Sequence, residues 1–150
     1  MHSASLPDYI TNAFVNDLIE RALREDVGSG DVTSLATIAP EVRAPARLEV
    51  REDGVIAGLW LAQQVFETVD PGICPAWNLD DGDSVSAGDV AASIEGPARS
   101  MLTAERLALN IVQRMSGIAT ATQRMVKVVS PFGTKILDTR KTAPGLRLMD

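Results

Sequence analysis

The chain has 150 residues, enough for one ordinary domain, and is 45% hydrophobic but only 4% aromatic, so Leu, Val, Ile and Ala must fill its core. A net charge of −6 excludes a general nucleic-acid binder, which needs a broad basic surface, and no apolar run is long enough to span a membrane. Cys74 is alone and His2 is the single histidine, so an intrachain disulfide, a histidine-based triad and a histidine-rich metal site are excluded within these residues.

In chain order, MHSASLPDYI has neither a basic nor an apolar leader segment and does not read as a secretory signal; the expected compartment is reducing and cytoplasmic. Pro7-Asp8 begins a helix that runs to about Asp26, with Ile10, Phe14, Leu18, Ile19, Ala22 and Leu23 as its apolar face. Gly28-Ser29-Gly30 ends it, and Asp31-Val32-Thr33-Ser34 reads as a turn or a second cap. Glu25, Asp26 and Asp31 read as a solvated acidic helix end, with a cation site as the less favoured alternative.

Ala46–Arg51 alternates like a half-buried strand. Asp53-Gly54 signals a hairpin into a short strand over Gly54–Gly58, and Leu59–Val69 follows as a helix closed by Asp70-Pro71-Gly72. Trp60 and Trp77 read as core or domain-contact residues, and Cys74 as a buried or loop thiol with no nucleophilic role. From Trp77 to Glu95 a β-hairpin region turns at Asp81-Gly82 and Ala87-Gly88. Its DGDSVSAGDV pattern resembles hammerhead and lipoyl-like hairpins. A lipoyl or biotinyl carrier needs a lysine on such a hairpin, and no lysine precedes Lys127.

Gly96-Pro97 releases a helix over Ala98 to about Met115, and Leu102, Leu107, Leu109, Ile111 and Val112 predict burial on several sides. Arg106, Asn110 and Arg114 share one face at i, i+4 and i+8. Two readings stand side by side: an internal salt bridge or subunit contact, and an arginine presented to an anionic ligand. Ser116-Gly117 breaks the helix, Ile118–Val129 restarts it, and Lys135–Asp138 reads as a strand. A change of pattern near Ser116 marks a domain boundary, dividing the chain into 1–115 and 116–150. From Arg124 to Arg147 there are six cations and one acid, Asp138; the residues before Arg124 carry eight cations and eighteen acids. An acidic chain that gathers its cations in one strand-to-loop window, with a Pro144-Gly145 turn, points to an anion site there.

Four segments in order carry a resemblance: LREDVGSGDVTS (Leu23–Ser34), DDGDSVSAGD (Asp80–Asp89), LTAERLALNIVQRMSGIAT (Leu102–Thr120) and LDTRKTAPGLR (Leu137–Arg147). From about Leu18 onward the chain resembles quinolinate phosphoribosyltransferase, also called carboxylating nicotinate-nucleotide pyrophosphorylase. The resemblance implies an α+β, hammerhead-like N-terminal sandwich followed by the start of an incomplete α/β barrel. It implies a homodimer or higher assembly with shared active sites. It also implies conversion of quinolinate and phosphoribosyl pyrophosphate, with Mg2+, to nicotinate mononucleotide, pyrophosphate and CO2, a step of NAD synthesis.

By motif position, Thr139, Arg140 and Lys141 resemble the family's substrate-binding segment, and Arg106 the arginine that crosses the dimer interface to the substrate. Arg106, Arg140 and Lys141 are thereby the implied catalytic set. Arg147, Glu105, Arg114 and Ser116 are weaker candidates for supporting roles. The family's glycine-rich segment with Asn-His-Arg, a further lysine and the acidic residues for magnesium and ribose have no counterpart in these residues. The isolated chain is therefore expected to be inactive, with residues after about Ser116 packing poorly or borrowing a partner. The alternatives are a non-catalytic dimerising or anion-binding module, or a related superfamily member using nicotinate or linked to molybdenum transport.

Overall fold

The computed structural model describes residues 10–28 and 30–150, so His2 and the Pro7-Asp8 cap lie outside the described residues. Helix α1 (Asn12–Val27) starts at Thr11, whose hydroxyl accepts the Phe14 N–H at 3.2 Å. Its buried residues are Val15, Leu18 and Ile19, whereas Phe14 is exposed. The inward stripe is close to the expected one: Leu18 and Ile19 are buried, Ile10, Ala22 and Leu23 are half-buried beside them, and Val15 stands in place of Phe14. Helix α2 (Val32–Thr37) is capped by Asp31, as its sequence signalled.

Strand β1 (Arg43–Glu49) begins three residues earlier than expected. It lies antiparallel to β5 (Val90–Pro97), and β5 pairs on its other side with β3 (Cys74–Trp77), giving the order β1-β5-β3. Cys74 is exposed on β3, an edge strand, and is neither buried nor in a loop. The expected Asp53-Gly54 hairpin does not form. Instead β2 (Gly54–Val55) pairs with β4 (Ser84–Val85), some thirty residues on. Asp53 acts across that gap, accepting the Ala87 N–H at 2.9 Å. Asp83 and Asp89 accept the Asp80 and Ser86 N–H groups, both at 2.8 Å, so the aspartates of DGDSVSAGD hold their own turns.

Helix α3 (Leu59–Val69) has the predicted bounds, but no residue next to it in sequence caps it. The Asp81 carboxylate, twenty residues away, accepts the Leu59 N–H at 2.8 Å and the Trp60 N–H at 3.3 Å. A carboxylate there also complements the helix dipole. Gly58 precedes it at φ 93°, and an added Cβ would sit 2.8 Å from the Met115 sulfur, so conformation and close packing both require glycine. Trp60 and Trp77 are half-buried against the core, with the Trp77 indole donating to Gln63 at 2.7 Å.

Helix α4 (Ala98–Val129) is continuous over 32 residues, so Ser116-Gly117 does not break it. The reason is tertiary. The Ser116 and Thr120 hydroxyls accept the Ala57 and Val55 N–H groups at 3.0 and 2.9 Å. The helix thereby satisfies the backbone of a strand that has little other pairing on that side. Burial is confined to one face of its first half: Ala98, Met101, Ala104, Leu107, Ala108, Ile111 and Val112. Leu102 is exposed and Leu109 half-buried, so the expected burial on several sides does not occur. The core lies where α4 packs on α3 and on β5, and α1 closes it with Leu18 and Ile19.

Candidate functional site

The cationic window begins where α4 leaves the core. After α4 comes a 3-10 turn at Ser130–Phe132, and residues 131–141 are all exposed. Lys135–Asp138 is not a strand: Ile136 is 42% and Leu137 80% exposed, with no neighbouring strand among the described residues. A strand without a ladder partner leaves its N–H and C=O groups to water and has no reason to persist. The Pro144-Gly145 turn does form. The Leu146 N–H donates to the Ala143 carbonyl at 3.0 Å across a Gly145 at φ 80°, as a type II turn requires.

Three polar tethers hold this loop. The Asp150 carboxylate accepts the Ala143 N–H at 2.7 Å and the Arg114 Nε–H at 3.1 Å. The Ala143 N–H, then Arg114, lower the Asp150 pKa, against a small opposing effect of burial. Arg147 donates to the Arg140 carbonyl at 3.2 Å, and the Lys141 N–H donates to the Thr139 hydroxyl at 3.3 Å. Leu148 alone in this stretch is buried.

Arg114, Ser116 and Arg147 are thus engaged in holding the fold and the loop. Glu105 is exposed beside an apolar cavity of about 610 Å³ between β1 and α4, lined by Leu48, Phe66, Met101 and Leu102 among others. By contrast, Arg140 and Lys141 have no carboxylate partner among the described residues. Each extends from a loop whose backbone is tied down, which leaves two cations free for an anion.

Arg106 stands on the outer face of α4. Its Nε lies 3.2 Å from Asp26 Oδ1, with the arginine side chain 64% exposed and the aspartate 18%. The acidic end of α1 is therefore not fully solvated. Asp26 has a cation, and that cation is an arginine of this chain. The other oxygen, Asp26 Oδ2, is buried without a hydrogen-bond partner among the described residues. The Ser34 hydroxyl and then the Ser34 N–H lower the pKa of nearby Asp31, and Arg106 adds a smaller push in the same direction. Arg106 thus faces the loop between α1 and α2. This is the internal salt bridge that the i, i+4, i+8 spacing on α4 allowed; the spacing did not name its partner, which lies eighty residues earlier in the chain. Among the described residues no group of three or more His, Cys, Asp or Glu is arranged to hold a metal ion, and no helix is long and apolar enough to cross a membrane.

Comparison with known proteins places these features in context. Residues 31–116 match the family described as quinolinate phosphoribosyl transferase, N-terminal domain, and residues 118–150 match its C-terminal domain. The chain is 47% identical over 134 residues to quinolinate phosphoribosyltransferase [decarboxylating] 1b of Nicotiana tabacum, covering 89% of this chain and 38% of that protein. It is 39% identical over 145 residues to a probable nicotinate-nucleotide pyrophosphorylase [carboxylating] of Synechocystis, covering 97% of this chain and 48% of that one. The crystal structure of NadC from Streptococcus pyogenes superposes with a TM-score of 0.88 at 39% identity, covering 93% of this chain and 50% of that chain. The nicotinate-nucleotide pyrophosphorylase of Francisella tularensis gives 0.86 at 38% identity, covering 93% and 49%. The chain therefore spans half or less of the length of these relatives.

Proposed function

The chain belongs to the quinolinate phosphoribosyltransferase family, and from that premise we propose that it supplies the dicarboxylate-binding part of an enzyme making nicotinate mononucleotide from quinolinate and phosphoribosyl pyrophosphate. The observation that carries this reading is the pair Arg140 and Lys141, uncompensated by carboxylates among the described residues in a chain of net charge −6. Quinolinate bears two carboxylates and its co-substrate a phosphate and a pyrophosphate. A site for both must be cationic, and arginine is favoured where two oxygens are gripped at once.

In this reading Thr139, Arg140 and Lys141 bind substrate from one subunit, and Arg106 reaches it from a second copy of the chain. Their work is positional and electrostatic. They hold the pyridine nitrogen toward the anomeric carbon of the ribose while pyrophosphate departs through an oxocarbenium-like state. The electron pair released as the 2-carboxylate leaves as CO2 stays on ring carbon 2, stabilised by the adjacent pyridinium nitrogen, and takes up a proton from water to give nicotinate mononucleotide. Magnesium, when bound, offsets pyrophosphate charge. The described residues offer no carboxylate cluster that fits it, so its ligands are assigned outside them. The setting proposed is cytoplasmic, as a homodimer or higher homo-oligomer with residues 1–115 and 116–150 as separate domains.

The test is quinolinate binding read by thermal unfolding. Ligand at one hundred times its Kd stabilises by about 2.7 kcal/mol, a rise of roughly 5–10 °C for a chain of this size. Arg140→Ala is expected to remove the rise. A chain that unfolds at the same temperature with and without quinolinate overturns the reading. Carboxyl-labelled quinolinate given to the 150 residues alone, with phosphoribosyl pyrophosphate and magnesium, is expected to release no labelled CO2.

A further inference from the structure

Asp26 is placed against three elementary preferences at once. It lies in the last turn of α1, where the negative end of the helix dipole disfavours a carboxylate. Its side chain is largely buried, which costs an ionised group its hydration. One of its oxygens is buried with no hydrogen-bond partner among the described residues, which natural structures generally avoid. The compensation among those residues is a single contact, from Oδ1 to Nε of an arginine that is itself mostly in water. As a device for stability this is poor, since pairs with one exposed partner contribute little.

As a device for aiming a guanidinium it is well made. An arginine has one side edge, at Nε, and one terminal edge with two nitrogens, and either can grip a carboxylate. Asp26 stands beside the side edge, in an ion pair at 3.2 Å from Nε. The 64% exposure of the side chain leaves the terminal edge open, and Asp26 is the partner found for Arg106 among the described residues. Fixing a long side chain before ligand arrives removes an ordering cost from binding.

We infer that Asp26 is a positioning residue: it holds Arg106 by Nε so that the terminal guanidinium edge is presented, ready oriented, to one carboxylate of an aromatic dicarboxylate. The inference rests on the reading of Arg106 as a substrate ligand given above, and it assigns a purpose to the acidic end of α1.

The test is a double-mutant cycle on quinolinate affinity, by calorimetry on the 150-residue chain, with Asp26→Asn, Arg106→Ala and both together. Arg106→Ala is expected to weaken binding about tenfold or more, as loss of a charge-assisted pair does. Asp26→Asn is expected to weaken it about threefold to tenfold and to add nothing in the Arg106→Ala background. Asp26→Asn binding with wild-type affinity, while Arg106→Ala is impaired, overturns the positioning role alone. A loss that persists undiminished in the Arg106→Ala background overturns it too, because Asp26 then acts by another route. Unchanged affinity in Arg106→Ala places the failure in the assignment of Arg106 and takes this inference with it. Should Asp26→Asn fail to fold, Asp26→Glu keeps the charge but displaces it by one methylene. It is expected to keep the unfolding temperature and still weaken quinolinate, and unchanged affinity there again overturns the inference.

Discussion

The two halves of α4 share a sequence style and have opposite fates. Up to Val112 the apolar residues of one face, Ala98, Met101, Ala104, Leu107, Ala108, Ile111 and Val112, are buried. Beyond Ala121 the helix is just as rich in apolar residues, yet Met125 is 63% and Val128 71% exposed, and Phe132 just past its end is 81% exposed. Periodicity therefore does not say whether a face is covered; only a neighbour does. The same contrast separates the two cationic elements. Arg106 sits on the packed half and is held by a carboxylate from α1, while Arg140 and Lys141 follow the unpacked half and are held through their backbone.

The largest expected break of this contrast is a pair of truncations within the one helix. Ile111→Ala, at a site 4% exposed, is expected to lower unfolding stability by about 2–4 kcal/mol in urea denaturation. Val128→Ala is expected to change it by less than about 0.5 kcal/mol. Equal losses would mean that something covers the second half.

Next comes the seam between the halves. Thr120→Val leaves the Val55 N–H without its acceptor and is expected to cost about 1–2 kcal/mol by the same measurement. An unchanged midpoint would mean that water replaces the hydroxyl.

A third test sharpens the comparison by pH. The Ser100 hydroxyl first, then the Gly72 N–H, hold the Asp70 pKa below its ordinary value, outweighing a modest contrary effect of burial. A depressed folded pKa contributes stability that is present above the unfolded value, and it is lost as pH falls through the folded one. Stability of the packed region should therefore fall as pH drops below about 4, and Asp70→Asn should flatten that fall. A slope identical to wild type removes Asp70 from the account.

The smallest effect belongs to the loop. Asp150→Ala releases the Arg114 and Ala143 tethers and is expected to speed proteolysis within residues 131–147, while the urea midpoint stays within about 0.5 kcal/mol of wild type. A protected loop after this change would show that the tethers do not hold it.

Much of the packed half was legible in the residues alone. The bounds of α3, the Asp31 cap and the Pro144-Gly145 turn each follow from local rules of burial period, capping and turn geometry, whereas the sandwich class came from the family resemblance of the motifs. Where reading failed, the failure had a tertiary cause. Ser116-Gly117 reads as a breaker because nothing local shows that Thr120 and Ser116 answer the backbone of β2 and of Ala57 just after it. Asp53-Gly54 reads as a hairpin because nothing local shows that β2 pairs with β4. Lys135–Asp138 reads as a strand because its side chains suit one, although none of the described residues offers it a ladder.

By itself the sequence determined where the cations lie, which family the motifs resemble, and which residue types could grip two carboxylates; these are properties of local order and charge. What only the tertiary structure decided was partnership. It set Arg106 against Asp26, gave Asp81 to the start of α3, and left Arg140 and Lys141 without a counter-charge among the described residues. The physical reason is that an ion pair or a cap depends on a few ångströms of separation, whereas sequence separation in these cases runs from twenty residues to eighty.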